Sequence, residues 1–137
     1  FDTEIAEDYI RELNEVVDMQ AVSYDPWGST QLAMHLTDEG FDMVQFAQTA
    51  KFFNAPLNKL EEWIIAGKIN HQANPVLAWM VQNCVIDEDN AEHKKLSKKK
   101  SANKIDGVVA LAMAIGVFLS DEGDKESVYE SQGITFL

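Results

Sequence analysis

Two carboxylates, Asp25 and Asp106, stand out in this sequence by where they fall. Asp25 follows a short apolar-rich run, residues 19–24, and the C-terminal end of a buried strand is where open α/β sheets present their ligands. Asp106 stands at the head of the most apolar stretch of the chain, at the start of the helix that this stretch predicts. Eighty-one positions separate the two, so only the fold can pair them. Each has a plainer reading, because Asp is favoured both in Asp-Pro turns and as a helix N-cap.

Other chemistries find less support. No G-x-S-x-G elbow and no Gly-rich phosphate loop occurs, and Cys84 falls on the apolar side of its helix beside Val81, as a packed cysteine does. His35, His71 and His93 lie in separate segments without the spacing of a zinc site. The formal charge of −12 weighs against nucleic acid as a partner, but the charge is unevenly spread. Residues 1–18 carry seven acids against Arg11, whereas six lysines and no acid lie between His93 and Ile105: Lys94, Lys95, Lys98, Lys99, Lys100 and Lys104. Local fields steer a polyanion more than net charge does. The plainer reading of such a run is a mobile, solvated loop.

The elements that must position these groups can be read from periodicity. Ile5, Tyr9, Ile10, Leu13, Val16 and Val17 predict an amphipathic helix capped by Asp2 or Thr3. A strand over 19–24 ends in the turn Asp25, Pro26, Trp27, Gly28. Ser29 caps a helix to about Glu39, with Gly40 beyond its end, and a second strand covers 41–46. A third helix opens at Asn54, Ala55 and Pro56 and stops before Gly67; Asn74 and Pro75 open a fourth, carrying Val76 to Cys84. Short strands are expected at 85–87 and 94–96, then a buried apolar helix over 108–119. The acids Asp121, Glu122 and Asp124 follow one helix length after Asp106, at about 20 Å for a straight helix, too far for the same metal site. The pattern is α/β. A sheet of two or three short strands is thin for so many helices, which predicts further strands upstream.

A chain of 137 residues, 46% hydrophobic and 25% charged, reads as one globular domain spanning 1–137. The longest apolar run, 107–119, is too short to span a bilayer, and the acidic first residues do not resemble a signal peptide. A single cysteine suggests a reducing, intracellular setting.

Four phrases in order carry a resemblance. Tyr24, Asp25, Pro26 and Trp27 come first, then Asn74 to Met80 with Asn83, then Lys104 to Leu111, and last Ser127 to Glu130 with Gly133. Together they resemble the C-terminal nuclease domain of tailed-bacteriophage terminase large subunits, over nearly the whole chain. The resemblance implies an RNase H-like nuclease fold, here lacking its first three strands, that cuts concatemeric viral DNA during genome packaging with Mg²⁺ or Mn²⁺ held by clustered acids. It places the second family acid on Asp25 and the third on Asp106, as catalytic metal ligands; the first has no counterpart, since the strand expected to bear it would precede Phe1. Lys98, Lys99, Lys100 and Lys104 would contact the backbone of double-stranded DNA, and His71 and Asn83 would play supporting parts.

The implied partners of the full protein are an N-terminal ATPase domain, the terminase small subunit and the portal, with no membrane, in the cytoplasm of a bacterial host. No Walker-type loop occurs in this chain, so it reads as a partial nuclease domain with weak or no cleavage by itself. The competing reading is a non-catalytic DNA-binding or assembly module left from a prophage terminase. Another RNase H-like nuclease, such as a junction resolvase, fits the Tyr24 to Trp27 phrase less well.

Overall fold

The computed structural model describes the backbone of residues 2–131 and the side chains of residues 2–121. The Ser127 to Glu130 side chains and Gly133 therefore lie outside the described residues, as do the side chains of Glu122 and Asp124. The chain forms two compact units, Phe1–Ala47 and Gln48–Leu137.

The first unit is a helix followed by a parallel β-α-β segment. Helix α1 (Thr3–Val16) starts where Asp2 accepts a hydrogen bond from the Glu4 N–H at 3.0 Å, so the expected cap is in place. Strand β1 (Val22–Tyr24) pairs in parallel with β2 (Met43–Gln45) in the register Val22 to Met43 and Tyr24 to Gln45. Helix α2 (Thr30–Asp38) links them, as a parallel pair requires a crossover. Both strands are shorter than the sequence pattern predicts. Ladder bonds extend only one residue beyond them, from Val22 N–H to Asp42 and from Phe46 N–H to Tyr24. Ser29 stands at the N-cap of α2 without a side-chain capping bond, and Gly40, at φ +98°, follows the helix in the left-handed region that glycine tolerates.

The burial of α1 departs from its periodicity. Ile5 and Tyr9 are exposed, whereas Glu7 is the buried residue, only 4% accessible. The reason is electrostatic. Glu7 Oε1 lies 3.0 Å from His35 Nδ1 on α2, and Glu7 Oε2 accepts from Arg11 at 3.1 Å. Arg11 also binds Asp8 and makes two bonds to Glu39, so a satisfied charge network ties α1 to α2.

The second unit is built on α3 (Ala50–Ile65) and α5 (Asp106–Ser131), which pack together. Around them lie α4 (Pro75–Asn83) against α5, and an antiparallel hairpin of β3 (Ile86–Glu88) and β4 (Lys94–Leu96), with β4 against α3. Leu60, Val108 and Ile115 centre the core, with Trp63, Leu77, Met80 and Leu111 packed on it. Helix α3 begins at Ala50, so Pro56 sits inside it and does not open it. A proline there removes one helical hydrogen bond, but Ala50, Phe53, Leu57 and Leu60 form one buried face that continues through it. Asn54, expected to open the helix, instead accepts the Lys94 N–H at the head of β4, at 3.0 Å. Helix α5 also outruns its expected bounds at both ends. The architecture is mixed α and β, with two separate two-stranded sheets among the described residues. No helix among them is long and apolar enough to cross a membrane.

Candidate functional site

Asp25 follows β1 directly, at the C-terminal edge of the parallel pair, and is half-buried. Its Oδ1 accepts the Trp27 N–H at 3.1 Å across Pro26, and Gly28 continues the turn at φ +75°. The turn reading and the ligand reading of Asp25 are therefore compatible. One carboxylate oxygen shapes the turn, while Oδ2 has no hydrogen-bond partner among the described residues.

Asp106 is the first residue of α5 and is exposed. The plainer reading of Asp106 as an N-cap is not what the backbone shows. The carbonyl of Ile105 receives the Val108 and Val109 N–H groups at 3.0 and 3.1 Å, which makes Ile105 the capping position. The Asp106 side chain engages no helix N–H, and an acid in the first turn is favoured by the positive end of the helix. Its neighbours are firmly held. Ile105 is 2% exposed, the Lys104 carbonyl accepts from Asn83 Nδ2 at 3.4 Å, and the Gly107 N–H points at Met80 Sδ at 3.2 Å. A Cβ on Gly107 would stand 2.9 Å from that sulfur, so glycine permits the close approach of α4 to α5. Asn83, Lys104 and Asp106 thus share one anchored segment.

The lysine-bearing turn is tied down as well. Ser101 Oγ donates to the Ser97 carbonyl and accepts the Val85 N–H at 3.2 Å, Ser97 Oγ accepts the Lys100 N–H at 3.1 Å, and the Ala102 N–H reaches the Asn83 carbonyl at 3.3 Å. These bonds anchor the backbone of the run while most of its lysine side chains stay exposed. Its charges divide into two sets. Lys94 pairs with Glu61 at 3.5 Å and Lys100 with Asp87 at 3.0 Å, and Lys100 holds the Asp87 carboxyl below the usual carboxylate range. Lys95, Lys98, Lys99 and Lys104 are exposed and have no ion-pair partner among the described residues.

His71 is exposed on the α3–α4 connection, just before Gln72 and Ala73, two non-glycine residues at φ +52° and +54°. Consecutive left-handed residues of this kind are uncommon and mark a tightly specified turn. His71 lies at the wall of an apolar cleft of ≈ 840 Å³ that sequence patterns did not reveal, lined among others by Leu57, Ile69, Cys84 and Leu111. Burial pushes the Cys84 thiol up, and its hydrogen goes to the Met80 carbonyl at 3.2 Å, which is the packed cysteine expected. On the β3–β4 hairpin, Asp89 accepts the His93 and Ala91 N–H groups, which lower its pKa. Helix α5 runs unbroken from Asp106 past Asp121, the separation expected from helix length.

Asp25 belongs to the first unit and Asp106 to the second. Within the described residues, no group of three or more His, Cys, Asp or Glu side chains is gathered as a metal cluster.

Comparison with known proteins gives a consistent relationship. Residues 2–122 match the family model of the terminase large subunit, endonuclease domain. Protein YmfN of Escherichia coli strain K12 is 34% identical over 128 residues, covering 90% of this chain and 28% of that protein. The large terminase subunit of Enterobacteria phage HK97 is 31% identical over 101 residues, covering 72% of this chain and 20% of that one. The crystal structure of the HK97 large terminase superimposes with a TM-score of 0.77 at 29% identity, over 85% of this chain and 25% of that chain. The chain thus spans about a quarter of the length of the relatives it matches. With most of its length matched by the family model, the chain belongs to the endonuclease-domain family of terminase large subunits.

Proposed function

We propose that this chain is part of a metal-dependent endonuclease that cuts concatemeric viral DNA during genome packaging. The observation that carries the reading is Asp25 at the C-terminal edge of a parallel strand pair, with one carboxylate oxygen unengaged, in a chain of this family. On this reading the fold is RNase H-like, its first three strands not among the described residues, and both compact units belong to one nuclease domain. That the family model runs across both units supports the last point.

The donor set suits the implied metal. Asp25 and Asp106 offer hard carboxylate oxygens, which favour Mg²⁺ or Mn²⁺ over softer ions, and neither side chain is consumed by an ion pair among the described residues. In phosphodiester hydrolysis such ions activate the attacking water and stabilise the leaving oxygen. This chain's own residues then divide the remaining work. Asp25 and Asp106 would each offer a carboxylate to an ion, Asn83 anchors the segment that presents Asp106, and Lys98, Lys99 and Lys104 would contact phosphates. Lys100 contacts them only by releasing Asp87, and His71 shapes the turn before α4. Double-stranded DNA, an ATPase domain, the small subunit and the portal are the partners, in the cytoplasm of a bacterial host.

Lys98, Lys99 and Lys104, exposed and without an ion-pair partner among the described residues, also fit a second reading, a DNA-binding or assembly module without catalysis. Mn²⁺ titration of the chain and its variants separates the two. Asp25→Asn and Asp106→Asn should each weaken Mn²⁺ binding about tenfold or more and abolish any plasmid cutting, while DNA binding persists. Unchanged Mn²⁺ binding in both variants, with DNA still bound, would establish the module instead.

A further inference from the structure

Trp27 is 89% exposed, more than any other large apolar side chain described. Trp79, at 41%, is half as accessible, and Trp63 packs against Phe118 with ring centroids 6.1 Å apart. An indole so fully in water gains nothing for the fold of the first unit. Its backbone, by contrast, is fixed: the Trp27 N–H is donated to Asp25 Oδ1 at 3.1 Å, and Gly28 follows at φ +75°. Ring and carboxylate are thus two projections of one turn. The surrounding sequence is open to a polyanion, since Asp25 is the one acid between Asp18 and Asp38 in a chain of net charge −12.

We infer that Trp27 is a substrate-contacting residue that stacks on an unstacked nucleobase beside the phosphate presented to Asp25. The inference rests on the nuclease reading of Asp25. An indole face stacks on any base with little sequence preference. In an intact duplex both faces of each base are already occupied by its neighbours, so Trp27 finds a partner only where a step is opened, at an end, a nick or a wedged step. The ligand is therefore a locally single-stranded nucleotide, and the role is to hold the strand in place next to the metal-binding carboxylate.

The test is fluorescence anisotropy with a labelled single-stranded oligonucleotide and with the same sequence as a duplex, at fixed salt and Mg²⁺. Trp27→Ala should weaken single-strand binding about 5-fold or more and duplex binding less than about 2-fold, with Trp27→Phe retaining most of the affinity. Because the side chain is exposed, circular dichroism and Tm should be unchanged. A triple variant, Lys98→Ala, Lys99→Ala and Lys104→Ala, should weaken both forms. If it does so while Trp27→Ala changes neither, the stacking role is overturned and the DNA-binding reading stands. Equal losses on single strand and duplex for Trp27→Ala also overturn it, since no opened base is then being read. If the unaltered chain binds neither form, both readings fall.

Discussion

The two units are held together by different physics. In Phe1–Ala47, the buried apolar residues among those described are Ala33, Leu36 and Phe46, and a charge network of Glu7, Asp8, Arg11, His35 and Glu39 ties α1 to α2. In Gln48–Leu137, ten apolar residues from α3, α5 and the residue capping α5 are buried, and the ion pairs described there lie between exposed or half-buried side chains. A unit of under 50 residues buries too little surface to rest on hydrophobic area alone. Directional charge contacts supply the order that area cannot. Asp25 is therefore mounted on a salt-sensitive frame, and Asp106 on a packed one.

The contrast can be broken most severely from the apolar side. Leu60→Ala, at the centre of the second unit's core, should cost about 2–5 kcal/mol, and a urea melt should show that loss unchanged between low and high salt. Arg11→Ala should destabilise the first unit by less, because the guanidinium is partly solvated, but it leaves Glu7 buried with His35 alone. Its penalty should shrink in high salt as exposed contacts are screened, and a salt series of Tm values tests that dependence. A salt-independent Arg11→Ala effect would show that the network acts through packing.

A titration sharpens the comparison further. Arg11 holds the Glu39 carboxyl below its ordinary 4.5, and Lys100 holds Asp87 below its ordinary 3.8. A depressed carboxylate stabilises the fold fully above its unfolded value and loses that contribution as pH falls through the folded one. The first unit should thus begin to weaken at a higher pH than the β3–β4 hairpin. Amide exchange followed from pH 6 downward should show α1 and α2 loosening before β3 and β4, and Arg11→Ala should remove the earlier step. The smallest effect is expected from Gly107→Ala. The new methyl displaces the flexible end of Met80 while alanine favours the helix, so stability should change by only a few tenths of a kcal/mol.

What the sequence made legible was local chemistry. Asp2 and Asn74 act as caps as expected, and Asn74 accepts both the Val76 and Leu77 N–H groups. The Asp25 turn and the helix–strand–helix–strand order of the first unit were also readable, because each depends on a few neighbouring residues. The misreadings have distant causes. Pro56 signals a helix start only if the upstream face is unburied, and Phe53 overrides it. Ile5 and Tyr9 mark an inner face only if nothing better is available, and the Glu7 to His35 contact spans 28 positions. The backbone anchors of the lysine run were not legible because they come from Asn83 and Val85, and the apolar cleft stayed hidden because its walls come from separate elements.

Met80 gives the Asp106 segment a chemical vulnerability. The atom set against the Gly107 N–H is a thioether, with no spare room at the α-carbon beside it. Peroxide converts a thioether to a bulkier, polar sulfoxide, and reductases reverse the change. Oxidation would turn the flexible end of Met80 aside and break its contact with the Gly107 N–H, leaving every carboxylate and lysine chemically intact. Peroxide-treated protein with sulfoxide at Met80 by mass spectrometry should then show faster exchange of the Gly107 amide, reversed on enzymatic reduction, while a Met80→Leu variant should be indifferent to both treatments.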